Sequence, residues 1–407
     1  MLNTKAQEPF HIIHLIEGLG PGGAERLLYT NLKHLDRRRF RSTVVTVFPQ
    51  EKHWEEPIRQ LGIEVIGLNC RNYRSLPAAT IRLHTQIRRS GANLVHTHLW
   101  SANIIGRLAG WIGGTPVISS VHSPDYEPAA LQSGTTLNPL KWKMALTLDK
   151  WTARLGCNRM IAVSEYVRQC TASQLRFPLP KIDLLYNPVD IAEIGNGPNR
   201  SRNELLAEIG LPPDAVVLLN VGRLAPEKGF LDAVRALPAV RRHYSAVHLV
   251  SVGSMANIAW VDRVNAEVVR LQQNQHVHLL GSRRDVVEWL HACDLFLFPS
   301  LFEGLGIALI EAMVAGCACV ASRTGPMPEV IQDGQDGVLV DPNDPEGLAQ
   351  AICDLLRDPA RRQKLGRAAR GAVDRFDPTV AAEKLAAIYE AICATSKSRA
   401  YKAGPWR

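Results

Sequence analysis

Short apolar segments rich in β-branched residues recur along the chain, and segments with helical spacing of apolar residues lie between them. In the first half the strand-like segments are HIIHLIEGL, STVVTVF, GIEVIGL, NLVHTHL, PVISSVH and RMIAVSE, and AERLLYTNLKHL is an example of a helical segment. Strands that alternate with helices predict an α/β fold built on parallel sheets.

The same alternation starts again after a segment rich in proline, glycine and asparagine, YNPVDIAEIGNGPNRSRNELLAEIGLPPD. This composition is typical of a connection between domains. The second series of strand-like segments is AVVLLNVG, VHLVSVG, VHLLG, DLFLFPS, CVAS and GVLV. We therefore predict two Rossmann-like domains with parallel sheets, at residues 1–187 and 188–377, facing each other across a cleft.

The end of the chain separates into a helix and a short tail. PTVAAEKLAAIYEAICATSK has the apolar spacing of an amphipathic helix, which we place at residues 378–396 and expect to pack back on the N-terminal domain. The tail at residues 397–407 has no pattern and is predicted to be loose.

Residues directly after the predicted strands are candidates for a site, because parallel α/β sheets bind ligands at the carboxyl ends of their strands. The first candidate is the glycine loop that contains Gly22 and Gly23, between a strand and a helix. Glycines permit a close approach to a ligand, and amides at a helix start attract anions. The spacing differs from G-x-G-x-x-G, which argues against a dinucleotide site, and a structural turn is the alternative.

Two cations follow the first strand of the second domain. The segment LLNVGRLAPEKGF carries Arg223 and Lys228 on either side of Pro226. An arginine fork and a lysine point charge together suit a diphosphate. The alternative is a solvated loop, and the glycine spacing of a P-loop is absent.

The segment PSLFEGLGIALIEAM contains two glutamates on either side of a glycine-rich turn. Glu303 is predicted in a loop after a buried strand, and Glu311 on an amphipathic helix that begins near Leu305. Amides around Gly306 would form the helix N-terminus, which suits an anion or a sugar hydroxyl. Burial of Glu311 requires a partner. The alternatives are an ordinary loop acid and a partly exposed acid at a helix edge.

Three histidines lie on or after strands of the first domain. His122 follows the strand in PVISSVH, a position that favours a functional role, although a lone histidine is more often structural. His96 and His98 share one face of a strand. We interpret that pair as structural.

Charge is unevenly distributed along the 407 residues. The formal net charge is +8, and counting Lys and Arg against Asp and Glu gives +10 for residues 1–187 and −2 for residues 188–407. Basic residues concentrate in CRNYRSLPAATIRLHTQIRRSG and, with tryptophans, in LNPLKWKMALTLDKWTARLG. This combination suits an anionic membrane surface or a lipid-diphosphate acceptor, and the alternative is a core-packed helix with a solvated basic face. No motif supports nucleic-acid binding.

Apolar stretches and cysteine spacing bear on the cellular compartment and on metal binding. No apolar stretch reaches 18 residues, and the N-terminus lacks the shape of a signal peptide, so we expect a cytoplasmic protein, peripheral at the inner face of the membrane if the basic half binds there. The eight cysteines form no C-x-x-C pair. Cys317 and Cys319 lie in an apolar run, which favours core packing over a metal site.

Taken in order, these motifs resemble those of a retaining glycosyltransferase of the GT-B fold, glycosyltransferase family 4 (group 1 type). The strongest is the E-x7-E pattern in PSLFEGLGIALIEAM, followed by AGCACVAS and TGPMPEVIQDGQDGVLVDP. VGRLAPEKG, GGAER, IAVSEYV and YNPVD agree with it. Leu305 stands where the family usually has Phe, and Ala318 where it often has Pro. These departures weaken an inference of donor preference from the family more than an inference of fold.

The resemblance implies a nucleotide-sugar donor, which we expect to be UDP-linked, and a role for each candidate residue. Glu311 would bind the ribose hydroxyls, and Glu303 the hydroxyls of the donor sugar. Arg223 and Lys228 would neutralise the diphosphate in place of a metal. Amides near Leu305 and Gly306 would contact the sugar or its phosphate, and Gly22 and Gly23 would approach the diphosphate. His122 would contact the sugar ring, and Gly253 with Gly281 to Arg283 would surround the base.

The implied reaction is metal-independent and cofactor-free, and it retains the anomeric configuration by attack on the same face. The implied acceptor is a glycan or lipid-linked molecule of envelope polysaccharide or glycolipid synthesis. Two alternatives remain: a sugar-nucleotide epimerase on the same scaffold, which would need acid/base carboxylates, and a non-catalytic glycosyltransferase-like partner, which should have lost the charged residues listed above.

Overall fold

The structure is a computed structural model that describes residues 8–49, 52–127 and 138–402, with side chains as far as Thr395 in the last helix. Its contacts divide the described chain into two compact units. The N-terminal unit comprises residues 8–49, 52–126, 138–188 and 378–402, and the C-terminal unit comprises residue 127 and residues 189–377. The last segment of the chain thus belongs to the N-terminal unit.

The N-terminal unit contains a parallel sheet with strands in the order β3-β2-β1-β4-β5-β6-β7. The strands are β1 Phe10–Ile16, β2 Phe40–Thr46, β3 Glu64–Gly67, β4 Leu94–His98, β5 Val117–Val121, β6 Arg159–Ala162 and β7 Ile182–Leu184. The helices are α1 Gly23–His34, α2 Glu55–Gln60, α3 Leu76–Ser90, α4 Trp100–Gly113, α5 Pro139–Gly156, α6 Glu165–Leu175 and, from the chain end, α16 Pro378–Lys402. Short 3-10 helices occupy Tyr73–Ser75 and Leu179–Lys181.

The C-terminal unit contains a second parallel sheet, in the order β10-β9-β8-β11-β12-β13. The strands are β8 Val216–Val221, β9 Val247–Val252, β10 Val277–Leu279, β11 Leu295–Phe298, β12 Cys319–Ser322 and β13 Val338–Val340. The helices are α7 Ile191–Gly195, α8 Arg202–Glu208, α9 Phe230–Arg241, α10 Ile258–Arg270, α11 Val286–Ala292, α12 Ile307–Ala315, α13 Met327–Val330, α14 Pro345–Arg357 and α15 Pro359–Gly371, with 3-10 turns at Pro226–Lys228 and Asp374–Phe376. Two parallel-sheet Rossmann-like units confirm the predicted fold class.

Both faces of the N-terminal sheet are covered by helices, so its central strands are buried almost throughout. In β1, Ile13 and Leu15 pack in a core with α3 and α4, whereas Ile12 packs with Leu385 of α16. Alternate residues of a strand point to opposite faces, so one short sequence serves two cores. This explains why the segment FHIIHLI is buried nearly from end to end.

Two local predictions need correction. The helix after Glu303 begins at Ile307 rather than near Leu305, and it is buried from Leu309 to Ala315, so it is not amphipathic. The helix lies inside the C-terminal unit, so it lacks the solvent-exposed polar face of an amphipathic helix. The last helix continues to Lys402, so the first part of the predicted loose tail at 397–407 is helical. Residues 403–407 lie outside the described range.

Helix α16 covers a polar cluster on one face of the N-terminal sheet. His14 of β1 and His96 and His98 of β4 are each at most 2% exposed. His96 Nδ1 lies 2.6 Å from the Tyr389 hydroxyl of α16, and its Nε2 lies 2.8 Å from Ser120 Oγ of β5. These contacts tie the chain end to the central strands through hydrogen bonds as well as apolar packing.

Burial keeps these imidazoles neutral, because an ion in an apolar interior is costly. It lowers the pKa of His14 to about 3 and the pKa values of His96 and His98 well below the usual range. The unfolded chain takes up protons near pH 6.5, whereas the folded chain does not. The folded state is therefore favoured fully above that pH and loses stability as the pH falls below it.

Replacing His14 by Phe should reduce the pH dependence of folding. Between pH 7.5 and 5.5, one such histidine contributes a loss of about 1.4 kcal/mol in unfolding free energy. Urea denaturation at both pH values measures the difference, which should shrink by that amount in His14→Phe. The matched control is His53→Asn at an exposed position, which should leave the difference unchanged. An unchanged difference in His14→Phe would contradict the assignment.

The described helices include none that is long and apolar enough to span a bilayer.

Candidate active site

The charged candidates of the C-terminal unit lie where its strand order reverses. Strands β8 and β11 are neighbours at the centre of the sheet, and the chain leaves them toward opposite edges. In parallel sheets the crevice beyond the carboxyl ends of two such strands is the usual ligand position. The loop after β8 carries Arg223 and Lys228, and the loop after β11 carries Glu303.

Lys228 and Glu303 form an ion pair across these two loops. The Lys228 Nζ lies 2.7 Å from Glu303 Oε1, and the two side chains are 20% and 12% exposed. At this depth the pair is only lightly screened by water, so each charge holds the other in place. The structure thus brings together two residues that are distant in sequence and were predicted to act on the same ligand.

Backbone contacts hold the two loops together. A Cβ atom on Gly229 would lie 1.8 Å from the Pro299 carbonyl oxygen, so no larger residue fits at this position without moving the backbone. Gly229 also has a φ of +62°, in the left-handed region that favours glycine. Beside it, the Leu301 amide donates to the Glu227 carbonyl oxygen at 2.8 Å. Lys228 is therefore placed by a rigid junction.

Arg223 lies at the entrance of the same loop and is the more accessible cation. Its guanidinium donates to Glu227 Oε1 at 2.9 Å, and its side chain is 68% exposed. An exposed ion pair is weak, so an anionic ligand can compete for this guanidinium at little cost.

Glu311 and the glycine turn follow Glu303. Gly306 precedes helix α12 with a φ of +88°, which a residue with a side chain adopts with difficulty. The preceding Leu305 is 2% exposed, and Glu311, on the first part of the helix, is 7% exposed. The alternative of a partly exposed acid at a helix edge is therefore wrong for Glu311.

The glycines predicted around a base lie at neighbouring strand ends. Gly253 follows β9, and its amide donates to the carbonyl oxygen of Gly281, which follows β10, at 2.9 Å. Arg283 points into an ion-pair network, in which it binds Asp285 at 2.7 and 2.6 Å and Glu208 at 2.8 Å. These carboxylates, Asp285 foremost, raise the pKa of Arg283. Its guanidinium stabilises the loop, and a contact with a base stays a prediction.

In the N-terminal unit, the glycine loop ends in helix α1. Gly22 is the residue before the helix and Gly23 its first residue. The carboxylate of Glu25 folds over this turn, since a Cβ on Gly22 would meet its Oε2 at 2.2 Å. Burial raises the pKa of Glu25.

His122 lies at the carboxyl end of β5 beside a cavity of about 320 Å³ within the N-terminal unit. Its Nε2 is 3.3 Å from His98 Nδ1, and burial lowers its pKa to about 4. The cavity is also lined by Glu17, Trp100, Asp125 and Tyr126, which the sequence reasoning missed. Their positions in the sequence could have identified them, because these residues follow the carboxyl ends of β1, β4 and β5.

Among the described residues, His14, His96 and His98 form the one group of three potential metal ligands with suitable spacing, each offering a nitrogen within 4.8 Å of the others. His96 uses both ring nitrogens in hydrogen bonds to Tyr389 and Ser120, so it would have to give one up to bind an ion. The group lies in the core and shares no residue with the loops that carry Lys228 and Glu303.

The chemistry available at the C-terminal sheet is recognition of an anion beside a hydroxylated group. Lys228 and Arg223 supply positive charge, and the amides at the start of α12 supply hydrogen-bond donors. Glu303 and Glu311 supply acceptors for hydroxyl groups. Preorganised cations and amides of this kind stabilise negative charge that develops on a leaving group.

Comparisons with known proteins identify the family of the chain. A family model described as Glycosyl transferases group 1 matches residues 201–372, and one described as Glycosyltransferase Family 4 matches residues 21–193. The alpha-maltose-1-phosphate synthase of Mycobacterium tuberculosis is 32% identical over 335 residues, which cover 75% of this chain and 80% of the relative. A D-inositol 3-phosphate glycosyltransferase of Streptomyces avermitilis is 28% identical over 75% of this chain and 67% of its own length.

The fold is that of solved glycosyltransferases. Anabaena Alr3699/HepE, in complex with UDP-glucose, superposes with a TM-score of 0.80 at 21% identity, covering 94% of this chain and 99% of that chain. WaaG, a glycosyltransferase involved in lipopolysaccharide biosynthesis, gives a TM-score of 0.72 at 18% identity over 93% of this chain and 99% of its own. The chain therefore belongs to the group 1, family 4 glycosyltransferases, sugar-transferring enzymes of the GT-B fold.

Proposed function

We propose that the protein transfers a sugar from a UDP-sugar to a glycan or lipid-linked acceptor, with retention of the anomeric configuration, in the synthesis of a cell-envelope polysaccharide or glycolipid. The observation that carries the proposal is the pair of Lys228 and Glu303, 2.7 Å apart, at the reversal point of the C-terminal sheet. It combines a cation for the leaving phosphate with an acceptor for sugar hydroxyls.

Each charged group has a task in this proposal. Lys228 and Arg223 bind the diphosphate, Glu303 binds hydroxyls of the transferred sugar, and Glu311 binds the two hydroxyls of the ribose. The ammonium of Lys228 has three N–H donors, so it can keep Glu303 in place while it binds a phosphate oxygen. Further contacts come from the amides at Leu305 and Gly306, from Gly22 and Gly23, from His122 at the sugar ring, and from Gly253, Gly281 and Arg283 near the base.

The proposed reaction breaks the bond between the anomeric carbon and the phosphate oxygen. The acceptor hydroxyl forms the new bond on the same face, and its proton passes to the departing phosphate oxygen. Charge accumulates on the diphosphate, where fixed cations in a partly buried site are most effective. Lys228 and Arg223 provide that charge, so the reaction is proposed to proceed without a metal ion.

The choice of UDP is supported by the solved relatives. Complexes of Anabaena Alr3699/HepE are described with UDP and with UDP-glucose. The acceptor class is supported by WaaG, which is involved in lipopolysaccharide biosynthesis. The proposal extends these properties to the present chain.

We further propose that the N-terminal unit contacts an anionic membrane surface. On α5, Leu140, Met144 and Trp151 are 66%, 64% and 55% exposed, respectively. Exposed Lys141 and Lys143 lie on the same helix, and the exposed arginines of α3 are Arg82, Arg88 and Arg89. Exposed apolar side chains among basic ones suit the interface of an anionic bilayer.

Removing the two glutamates should separate donor binding from turnover. Glu311→Ala should weaken UDP-sugar binding by roughly tenfold to a hundredfold, because hydrogen bonds to a charged group are lost. Glu303→Ala should lower kcat by about a hundredfold with a smaller effect on donor affinity. Steady-state kinetics with isothermal titration calorimetry give both quantities, and Glu346→Ala at an exposed position is the control. Normal transfer rates in both variants would refute the assigned roles.

Nucleotide binding should not require a divalent metal. In a thermal-shift screen of UDP, GDP and ADP, UDP should stabilise the protein by about 2.7 kcal/mol at a hundredfold excess over Kd, equally in EDTA and in Mg²⁺. Lys228→Ala should reduce the shift, whereas Lys384→Ala, exposed in the last helix, should not. A shift that appears only with Mg²⁺ would rule out the metal-free mechanism.

Reversing the charge of Arg82, Arg88 and Arg89 to Glu should weaken binding to anionic liposomes. Each basic residue near such a surface contributes about 1 kcal/mol, so the loss should be large at low salt. The control reverses Arg361, Lys364 and Arg367, which are exposed on α15. Cosedimentation measures the bound fraction, and equal binding by both variants would remove the membrane proposal.

A further inference from the structure

The cavity of the N-terminal unit has a chemical character that the sequence did not reveal. It lies at the carboxyl ends of β1, β4 and β5, and it is lined by acidic and aromatic side chains. Arginine occurs once in its described lining, as Arg107. The basic residues that give the first half of the chain its positive charge are elsewhere, since Arg82, Arg88 and Arg89 do not line the cavity.

The one arginine is already paired. Arg107 is 1% exposed and donates through one terminal nitrogen to the carboxylate of Asp149, and its Nε donates to Ser119 Oγ at 2.9 Å. Breaking a buried ion pair leaves an uncompensated charge, so an entering anion cannot easily take Arg107 from Asp149. The other terminal nitrogen is buried and has no hydrogen-bond partner among the described residues.

Two further carboxylates face the same space. Glu17 accepts from the Ser101 amide at 2.8 Å and from Ser101 Oγ at 2.7 Å, both through Oε1, and in the described structure Oε2 has no hydrogen bond. Asp125 accepts from the Ser123 hydroxyl. Carboxylate oxygens are acceptors for hydroxyl groups, as in the donor site proposed above.

Aromatic rings complete the lining. Trp100 donates through Nε1 to the Tyr126 hydroxyl at 2.8 Å, and Tyr126 donates in turn to Asp149 at 2.9 Å. The Tyr73 ring packs against Trp100 with centroids 6.3 Å apart. These contacts fix the rings, which offer apolar surface beside hydrogen-bonding groups.

The balance of charge decides which ligand fits. Glu17, Asp125 and Asp149 carry three negative charges against the one positive charge of Arg107. His122 is neutral at pH 7, because burial lowers its pKa to about 4. A phosphate or carboxylate in this cavity would therefore meet net negative charge, whereas hydroxyl groups would meet acceptors.

We propose that this cavity receives an uncharged saccharide as the acceptor, and that it discriminates against sugar phosphates and other anionic sugars through Glu17 and Asp125. The inference rests on the proposed transferase function and names the acceptor class of that reaction. It distinguishes this chain from two of its relatives, which are named for maltose 1-phosphate and for inositol 3-phosphate.

The test compares neutral saccharides with their phosphate esters on the full chain. Glucose, maltose and myo-inositol are paired with glucose 1-phosphate, maltose 1-phosphate and inositol 3-phosphate. Saturation-transfer NMR in the presence of UDP measures each affinity. We expect binding of at least one neutral member and at least tenfold weaker binding of its phosphate ester.

Glu17→Gln tests the residue that carries the argument. Glutamine keeps an oxygen that can accept from Ser101 but carries no charge. The neutral saccharide should therefore bind about tenfold more weakly, and the difference in affinity between it and its phosphate ester should become smaller. The matched control is Glu64→Gln, an exposed acid of β3, which should behave like the original protein. Melting temperatures of both variants report that the fold is intact.

The inference would be overturned if a phosphate ester bound as tightly as its neutral saccharide, or if no neutral saccharide bound at millimolar concentration. It would also be overturned if Glu17→Gln kept the same preference for neutral saccharides over their phosphate esters. UDP binding, measured on the same samples, separates this failure from failure of the proposed function. A chain that binds UDP and prefers phosphate esters refutes only the acceptor class, whereas a chain that binds no nucleotide refutes the transferase proposal.

Discussion

The charged groups at the C-terminal sheet depend on one backbone contact. The turn at Gly229 rests on the carbonyl group of Pro299, so closely that a Cβ atom would overlap the oxygen. Because of this contact, Lys228 on one loop and Glu303 on the other are held 2.7 Å apart. The two strands that carry the loops leave the sheet centre in opposite directions, so the junction forms where a ligand can enter.

Pairing Lys228 with Glu303 also offsets the energetic cost of burying each charge. Each side chain is at least four-fifths buried, and an isolated charge at that depth would destabilise the fold. As a pair they are neutral toward the rest of the protein, yet the ammonium retains two N–H donors for another ligand. The fold itself thus fixes the positions of the two charges, and fixed charges contribute most to a reaction.

Sequence patterns predicted the fold because the parallel strands are short, apolar and separated by helices. They also predicted Glu303, Arg223 and Lys228 as candidates, since these residues directly follow strands. They failed at helix α12, where burial of Leu309 to Ala315 on all sides removes the alternation on which an amphipathic prediction rests. They could not reveal the contact of His96 with Tyr389, which joins residues separated by 293 positions. Only the folded chain brings such residues together.

Net charge is the quantity that sequence reasoning locates least well. Residues 1–187 carry an excess of +10, which suggested an anionic membrane surface or a lipid-diphosphate acceptor. In the folded N-terminal unit, however, the arginines of α3 are exposed on a helix, and the acids Glu17, Asp125 and Asp149 converge at the strand ends. The buried Arg107 pairs with Asp149, so these two charges largely cancel, and Glu17 and Asp125 leave the cavity with net negative charge. A basic surface and an acidic cavity therefore coexist in one unit, and we propose membrane contact for the first and acceptor binding for the second.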